Sequence, residues 1–388
     1  VETAIWEDVT PASPPSARTY TPLAYDSANQ VTVMFGGYSS SNTYLSDTWE
    51  WNGTLWSMTC AAGSCGAGTL GARRGHMLAF DSTRSRTVMF GGRDAVNFAL
   101  DDTWEYNAAT NVWAAGCGGA GCSTKPSARQ GAGMAFDSQN GVTVLFSGVL
   151  ASGSTAPNDT WGYNGTAWTP ICNAGACLTT SPPARRFPGM AYDAARNAVV
   201  LFGGQDAVTS NYRSDTWELT GSTWTKRCDD GACGIPARTL ITMAYDSRSK
   251  RVVVFGGTDS GSSARSDTWE WNGTVWSDPY PGTTTPPGRS AHGTAYDAAR
   301  RRVVMFGSDA TGKTWTYHSR GGTCTTAADC DTNICVDGVC CTTTCTGVCQ
   351  RCDGAGTNRG LCTTVTNATD PDTCTGTSSC DGSGACKK

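Results

Sequence analysis

Histidine is the scarcest chemistry in this chain: three in 388 residues, with a charged fraction of only 16 %. So few imidazoles work against a metal centre built on histidine. No apolar stretch approaches the roughly 20 residues that a helix needs to cross a bilayer, so no membrane span is expected. The net charge is −4 and the lysines and arginines are dispersed, which argues against nucleic acid as a partner. No nucleophile stands beside a base in a way that sets it apart from the rest of the sequence. Helical periodicity is absent too. Val1 is not an initiator methionine, and a removed export signal is the reading it invites.

What the chain has is repetition. Ala-Tyr-Asp or Ala-Phe-Asp recurs at Asp26, Asp81, Asp137, Asp193, Asp246 and Asp297, at intervals of 51 to 56 residues. Each anchor is followed by an aliphatic run ending in Phe-Gly-Gly, then Asp-Thr-Trp, then a further Trp after a short turn. Spacing of this kind belongs to architectures with one supersecondary unit per period. In the first copy Val31 to Phe35 is β-branched and apolar, Thr48 to Trp51 alternates, and Asn52-Gly53 suits a two-residue hairpin that returns Leu55-Trp56. Asn164-Gly165 and Asn272-Gly273 repeat that turn. The sequons at Asn52, Asn164 and Asn272 are thereby explained by turn geometry, and those at Asn158 and Asn367 are not tied to a turn. Four antiparallel strands per period, repeated radially, predict a propeller blade.

The sixth copy stops after Thr314-Trp315-Thr316-Tyr317 without its second tryptophan. The missing strand stands at the other end of the chain: eleven residues separate Trp6 from Arg18, and twelve separate Trp276 from Arg289. The segment around Ile5 and Trp6 is therefore expected to complete blade six and cover its open edge. The fold predicted is all-β, a six-bladed propeller over residues 1–320 followed by a small disulfide-rich domain over 321–388. Three positions depart locally, Ser147 for the first glycine and Gly162 for the glutamate after the tryptophan in the third copy, and Lys313 for the aspartate before Thr314 in the sixth.

The glycine pair, the two tryptophans and the repeat length resemble the kelch family of propellers over about four-fifths of the chain. That resemblance implies architecture and leaves activity open, because the family includes adaptors, actin-associated proteins, epimerases and a copper oxidase. A copper site like that of galactose oxidase would need two histidines and an uncommitted cysteine. His76 and His292 instead occupy one equivalent repeat position, where local hydrogen bonding is expected of them. The segment Ser308 to Trp315 resembles a sialidase Asp box with one residue too many. Glu50, Glu105, Glu218 and Glu270 recur at one register and read as architecture.

Twenty cysteines point to an oxidising compartment. Eight form four Cys-x4-Cys pairs, Cys60 with Cys65, Cys117 with Cys122, Cys172 with Cys177 and Cys228 with Cys233, each between the last strand of one blade and the first of the next. Local disulfide clasps are expected there. The other twelve lie between Cys324 and Cys386, in a tail without aromatic residues that covalent bridges must hold together. The run from Cys335 to Cys352 resembles cysteine-rich modules in secreted proteins of myxobacteria and, distantly, the Dickkopf region. The likeness implies export and surface anchoring. Asp329, Asp331 and Asn333 keep the first spacings of a calcium loop, but Ile334 and Cys340 stand where glycine and glutamate are needed. A solvated turn is expected and no cofactor or metal.

If the first strand of each blade lines the channel, the second-to-third and fourth-to-first connections emerge at one end, here the top. Its loops carry Tyr38, Tyr44, Arg93, Phe98, Tyr212 and Arg213, residues equipped to stack on sugars or peptide side chains. An arginine also stands eight residues before every anchor: Arg18, Arg73, Arg129, Arg185, Arg238 and Arg289. A pocket is asymmetric, whereas a structural pairing recurs in each blade, so these six are expected to bridge to the Asp-Thr-Trp aspartates. The function expected is that of a secreted or cell-surface binding or structural module for an extracellular glycan or surface protein, with self-association as a further expectation. A secreted carbohydrate-active enzyme, sialidase-, epimerase- or galactose-oxidase-like, is the alternative.

Overall fold

The computed structural model describes residues 5–61, 64, 70–117, 122–150, 155–172, 181–279 and 285–318, with six two-residue strands between 335 and 387. Two compact units are present, one of residues 7–278 and 285–316, the other of 1–6, 279–284 and 317–388. The first is the body of a six-bladed all-β propeller. Each blade has four main antiparallel strands, as in Gly133–Asp137, Val142–Phe146, Thr160–Tyr163 and Trp168–Cys172. The sixth blade takes its outer strand, Ile5–Asp8, from the N-terminus, next to Thr314–His318. In the tail three two-stranded ladders are described, the first pairing Cys335–Val336 with Val339–Cys340. The calcium-loop candidates Asp329, Asp331 and Asn333 lie outside the described residues, as do Cys65 and Cys177. Disulfides join Cys117 to Cys122 and Cys228 to Cys233, with Cα atoms 5.3 and 5.7 Å apart, and Cys60 is also bridged.

Each part of the repeat has a separate mechanical task. The anchor aspartate caps the turn between the first two strands; Asp26 Oδ1 accepts from the amides of Ala28 and Asn29 at 2.9 and 3.0 Å. The phenylalanine before the glycines packs on the second tryptophan of the next blade, with ring centroids 4.9–5.3 Å apart in Phe35–Trp113, Phe90–Trp168, Phe146–Trp224, Phe202–Trp276 and Phe306–Trp56. Those same tryptophans donate their indole N–H to the threonine of Asp-Thr-Trp in the preceding blade, at 2.8–2.9 Å, in Trp113–Thr48, Trp168–Thr103, Trp224–Thr160, Trp276–Thr216 and Trp56–Thr314. One side chain thus supplies both apolar burial and a buried hydrogen bond across an interface. Trp56 makes both contacts with blade six, which is how the ring closes.

The register arginines complete each blade from within. Arg18, Arg73, Arg129, Arg185 and Arg238 are at most 2 % exposed, and each forks onto both oxygens of Asp47, Asp102, Asp159, Asp215 and Asp267 respectively, in its own blade. Their Nη1 atoms also donate to the carbonyl of the residue after the phenylalanine, Ser147 standing in for glycine in blade three. There the serine hydroxyl gains a role of its own, donating to Arg185 O at 2.7 Å and accepting from Arg185 N at 2.8 Å.

Burial alone would push the Asp215 carboxyl up; the hydrogen bonds and charge of Arg185, with the Trp217 N–H, hold it below the ordinary carboxylate range. Asp215→Ala strands a guanidinium that is fully buried and is expected to cost about 3–5 kcal/mol. Urea denaturation at pH 7 measures it. A loss under 1 kcal/mol would mean that the arginine finds water.

Candidate functional site

Two residues after each register arginine the chain turns toward the channel in a left-handed conformation. Tyr20, Gly75, Gly131, Phe187, Leu240 and Ala291 have φ between 52° and 61°. Each amide donates to the carbonyl of its counterpart in the preceding blade, and Tyr20 N closes the circle on Ala291 O; the six bonds are 2.7–3.2 Å long. This belt rims a cavity of about 120 Å³ at the top of the channel, whose wall includes Leu23, Met77, Met134, Met190 and Met243. Four of the six are not glycine, so each bears a left-handed conformation that costs roughly 1–2 kcal/mol, and the closed circle of hydrogen bonds is what holds them there.

The side chains on the belt break the repeat. Tyr20 and Phe187, from opposite blades, bring their rings within 5.8 Å of each other. Phe187 lies where a Cβ on Gly131 would be, 2.3 Å from its Cε1, so this glycine makes space for the ring. Beside them, Arg18–Thr19 pairs with Tyr38–Ser39, and Tyr38 faces Tyr44 across the next ladder. The two tyrosine rings meet edge to face at 5.1 Å. The Arg74 guanidinium lies 5.4, 4.6 and 5.2 Å from the ring centroids of Tyr20, Tyr38 and Tyr44. Each such contact is worth about 0.5–1 kcal/mol near the surface. Arg93 is Arg74's partner across the ladder; its Nη1 donates to Asn97 Oδ1 at 2.8 Å, and its buried Nε has no hydrogen-bond partner among the described residues.

The other sequence-derived candidates fall elsewhere. Phe98 is 67 % exposed at the tip of the blade-two loop. Tyr212 bridges to Gln205 within the blade-four loop. Arg213 is tied to Asp206 and to Asp230. Against burial, those two carboxylates raise its pKa, so it is a loop clasp. Glu50 accepts from Tyr106 and Glu105 from Tyr163, both at 2.9 Å between neighbouring blades. Arg74 and Tyr20 belong to the aromatic cluster, yet only their departure from the repeat at those positions could have singled them out.

His76 and His292 correct an expectation. Local hydrogen bonds were expected of them, but none of the four ring nitrogens has a hydrogen-bond partner among the described residues, and the rings pack edge-on against Phe35 and Phe255 at 5.6 and 6.0 Å. Burial, then the charge of Arg73 for His76 and of Arg289 for His292, lowers both to about 3. No cluster of three or more His, Cys, Asp or Glu suited to a metal ion occurs among the described residues.

No family model matches the chain, and no curated protein is significantly similar to it. The chemistry must therefore be read from the channel mouth itself.

Proposed function

We propose that this chain is an extracellular binding module of the kelch type, held by a cysteine-rich anchor, whose top face recognises a glycan. One observation carries the reading: a guanidinium set among three tyrosine rings, with no carboxylate paired to it among the described residues, in a single sector of an otherwise repeating ring. At the equivalent position the other blades have Thr19, Gln130, Arg186, Thr239 and Ser290, and Arg186 donates to Gln205. Tyrosine faces stack on the C–H faces of sugars while a guanidinium holds hydroxyl or carboxylate oxygens bidentately. Five of the six arginines that recur in the blades are forked onto aspartates, so a non-repeating arginine is the better placed to meet a glycan.

A glycan array with the purified full chain tests this. Selective binding is expected, reduced about fivefold or more by Arg74→Ala and by Tyr38→Ala, because each removes a contact of roughly 1 kcal/mol or more, while the melting temperature stays near that of the parent. Product release from a bound glycan would replace the reading with an enzyme. Binding unaffected by both substitutions would move the site off the cluster.

A further inference from the structure

In five blades one carboxylate oxygen has two donors. Oδ2 of Asp47, Asp102, Asp159, Asp215 and Asp267 accepts from Nη2 of the register arginine at 2.7–2.9 Å and from Nε1 of the tryptophan two residues later at 2.7–2.8 Å. Blade six keeps both donors and lacks the aspartate, because Lys313 takes its place. Lys313 Nζ turns outward to Asp8 Oδ2 at 2.7 Å and lies 5.6 Å from the centre of the Trp315 ring. Arg289 is 1 % exposed; its Nη1 donates to Gly307 O and Asp309 Oδ2, both at 3.0 Å. Among the described residues its Nη2 has no partner, and neither has Nε1 of Trp315, which is 5 % exposed.

Buried donors without acceptors are rare because each forfeits its hydration. Here two coincide, on the two residues that in every other blade share one anionic oxygen. We propose that Arg289 Nη2 and Trp315 Nε1 form a binding site for one anionic acceptor atom: a chloride ion, or one oxygen of a small monocarboxylate. The geometry of the five sister blades is the template, since an oxygen there sits within hydrogen-bond distance of both donors. Charge selects the ligand further. Asp309 and Asp8 already offset Arg289 and Lys313, so a singly charged, compact anion is favoured over sulfate or phosphate. The Lys313 side chain is 42 % exposed and can swing aside to admit it.

The test is a titration of the full chain, ¹⁵N-labelled, with sodium chloride or sodium acetate replacing a bulky sulfonate at constant ionic strength. The Trp315 indole N–H resonance, assigned by its loss in Trp315→Phe, is expected to move saturably, and the melting temperature to rise with anion concentration as mass action requires. Movement with chloride alone identifies a halide site; movement with acetate as well identifies a carboxylate site. Lys313→Asp restores the five-blade pattern and is expected to abolish both responses. No saturable movement with either anion overturns the proposal, as does a response that persists in Lys313→Asp. The parent titration decides by itself should that variant fail to fold.

Discussion

Below pH 6 the folded propeller is expected to lose about 3 kcal/mol of stability per pH unit from two histidines alone. His76 and His292 are held at about 3 by burial and by the neighbouring arginines; for His76, the charge of Asp102 opposes the shift without reversing it. In the unfolded chain both return to about 6.5. Between those values the unfolded state binds two protons that the folded state refuses, so stability is complete above pH 6.5 and drains away as the pH falls. The carboxylates act lower. Asp47, Asp102, Asp215 and Asp267 are shifted down, burial being outweighed by the hydrogen bond and charge of their arginine partners. Their contribution is complete above an unfolded value of about 3.9 and is lost only as the pH falls through the folded one. Urea midpoints at pH 7, 6 and 5 measure the first stage. The double variant His76→Thr/His292→Thr is the control, because Thr21 occupies the equivalent place in blade one and donates to Phe35 O at 3.1 Å. It is expected to be flat across that range. A parent midpoint that does not move would mean that both rings take up protons in the folded state.

The repeat made the architecture legible, and the reason is visible in what each motif residue does. Phe-Gly-Gly, Asp-Thr-Trp and the second Trp each perform one bond or contact per blade, and such tasks must recur with the blade. The Arg–Asp fork follows from the same argument, since a pairing within a blade leaves an arginine and an aspartate 29 or 30 residues apart in five of the six blades. The channel mouth was less legible. Its belt is made by backbone groups, and only Gly75 and Gly131 among its six members hint at a left-handed conformation. Tyr38 and Tyr44 stood out as loop aromatics, but Tyr20 and Arg74 sit beside the repeated arginine register and were hidden by it. Arg213, conspicuous in a loop, is occupied by carboxylates from two segments of blade four. Loop position therefore marks exposure poorly, whereas departure from the repeat marks the clusters that the fold does not itself require. Lys313 makes the same point: as a sequence feature it is a missing aspartate, and only the orphaned donors of Arg289 and Trp315 give that absence a chemical meaning.

Removing residues 1–10 is expected to have the largest effect of any change considered. Trp6 is 4 % exposed, and loss of a buried tryptophan costs about 3–5 kcal/mol by itself. The segment that follows it is woven into blade six: Val9 N donates to Thr314 O at 3.0 Å, Thr314 N donates to Thr10 Oγ1 at 3.0 Å, and Glu7 pairs with Arg302 at 2.9 Å. Thr314 is also the acceptor for Trp56 Nε1 at 2.8 Å, so the N-terminal segment steadies the residue through which blade one grips blade six. Without it the strand Thr314–His318 becomes an open edge, and an unpaired edge recruits another chain. The truncated protein is accordingly expected to melt at a lower temperature and to associate in a concentration-dependent way, seen by sedimentation velocity alongside thermal denaturation. A synthetic peptide of residues 1–10 supplied in trans is expected to add back as a strand and restore part of the lost stability. If the truncated chain stays monomeric with an unchanged melting point, ring closure rests on the Trp56 contacts alone.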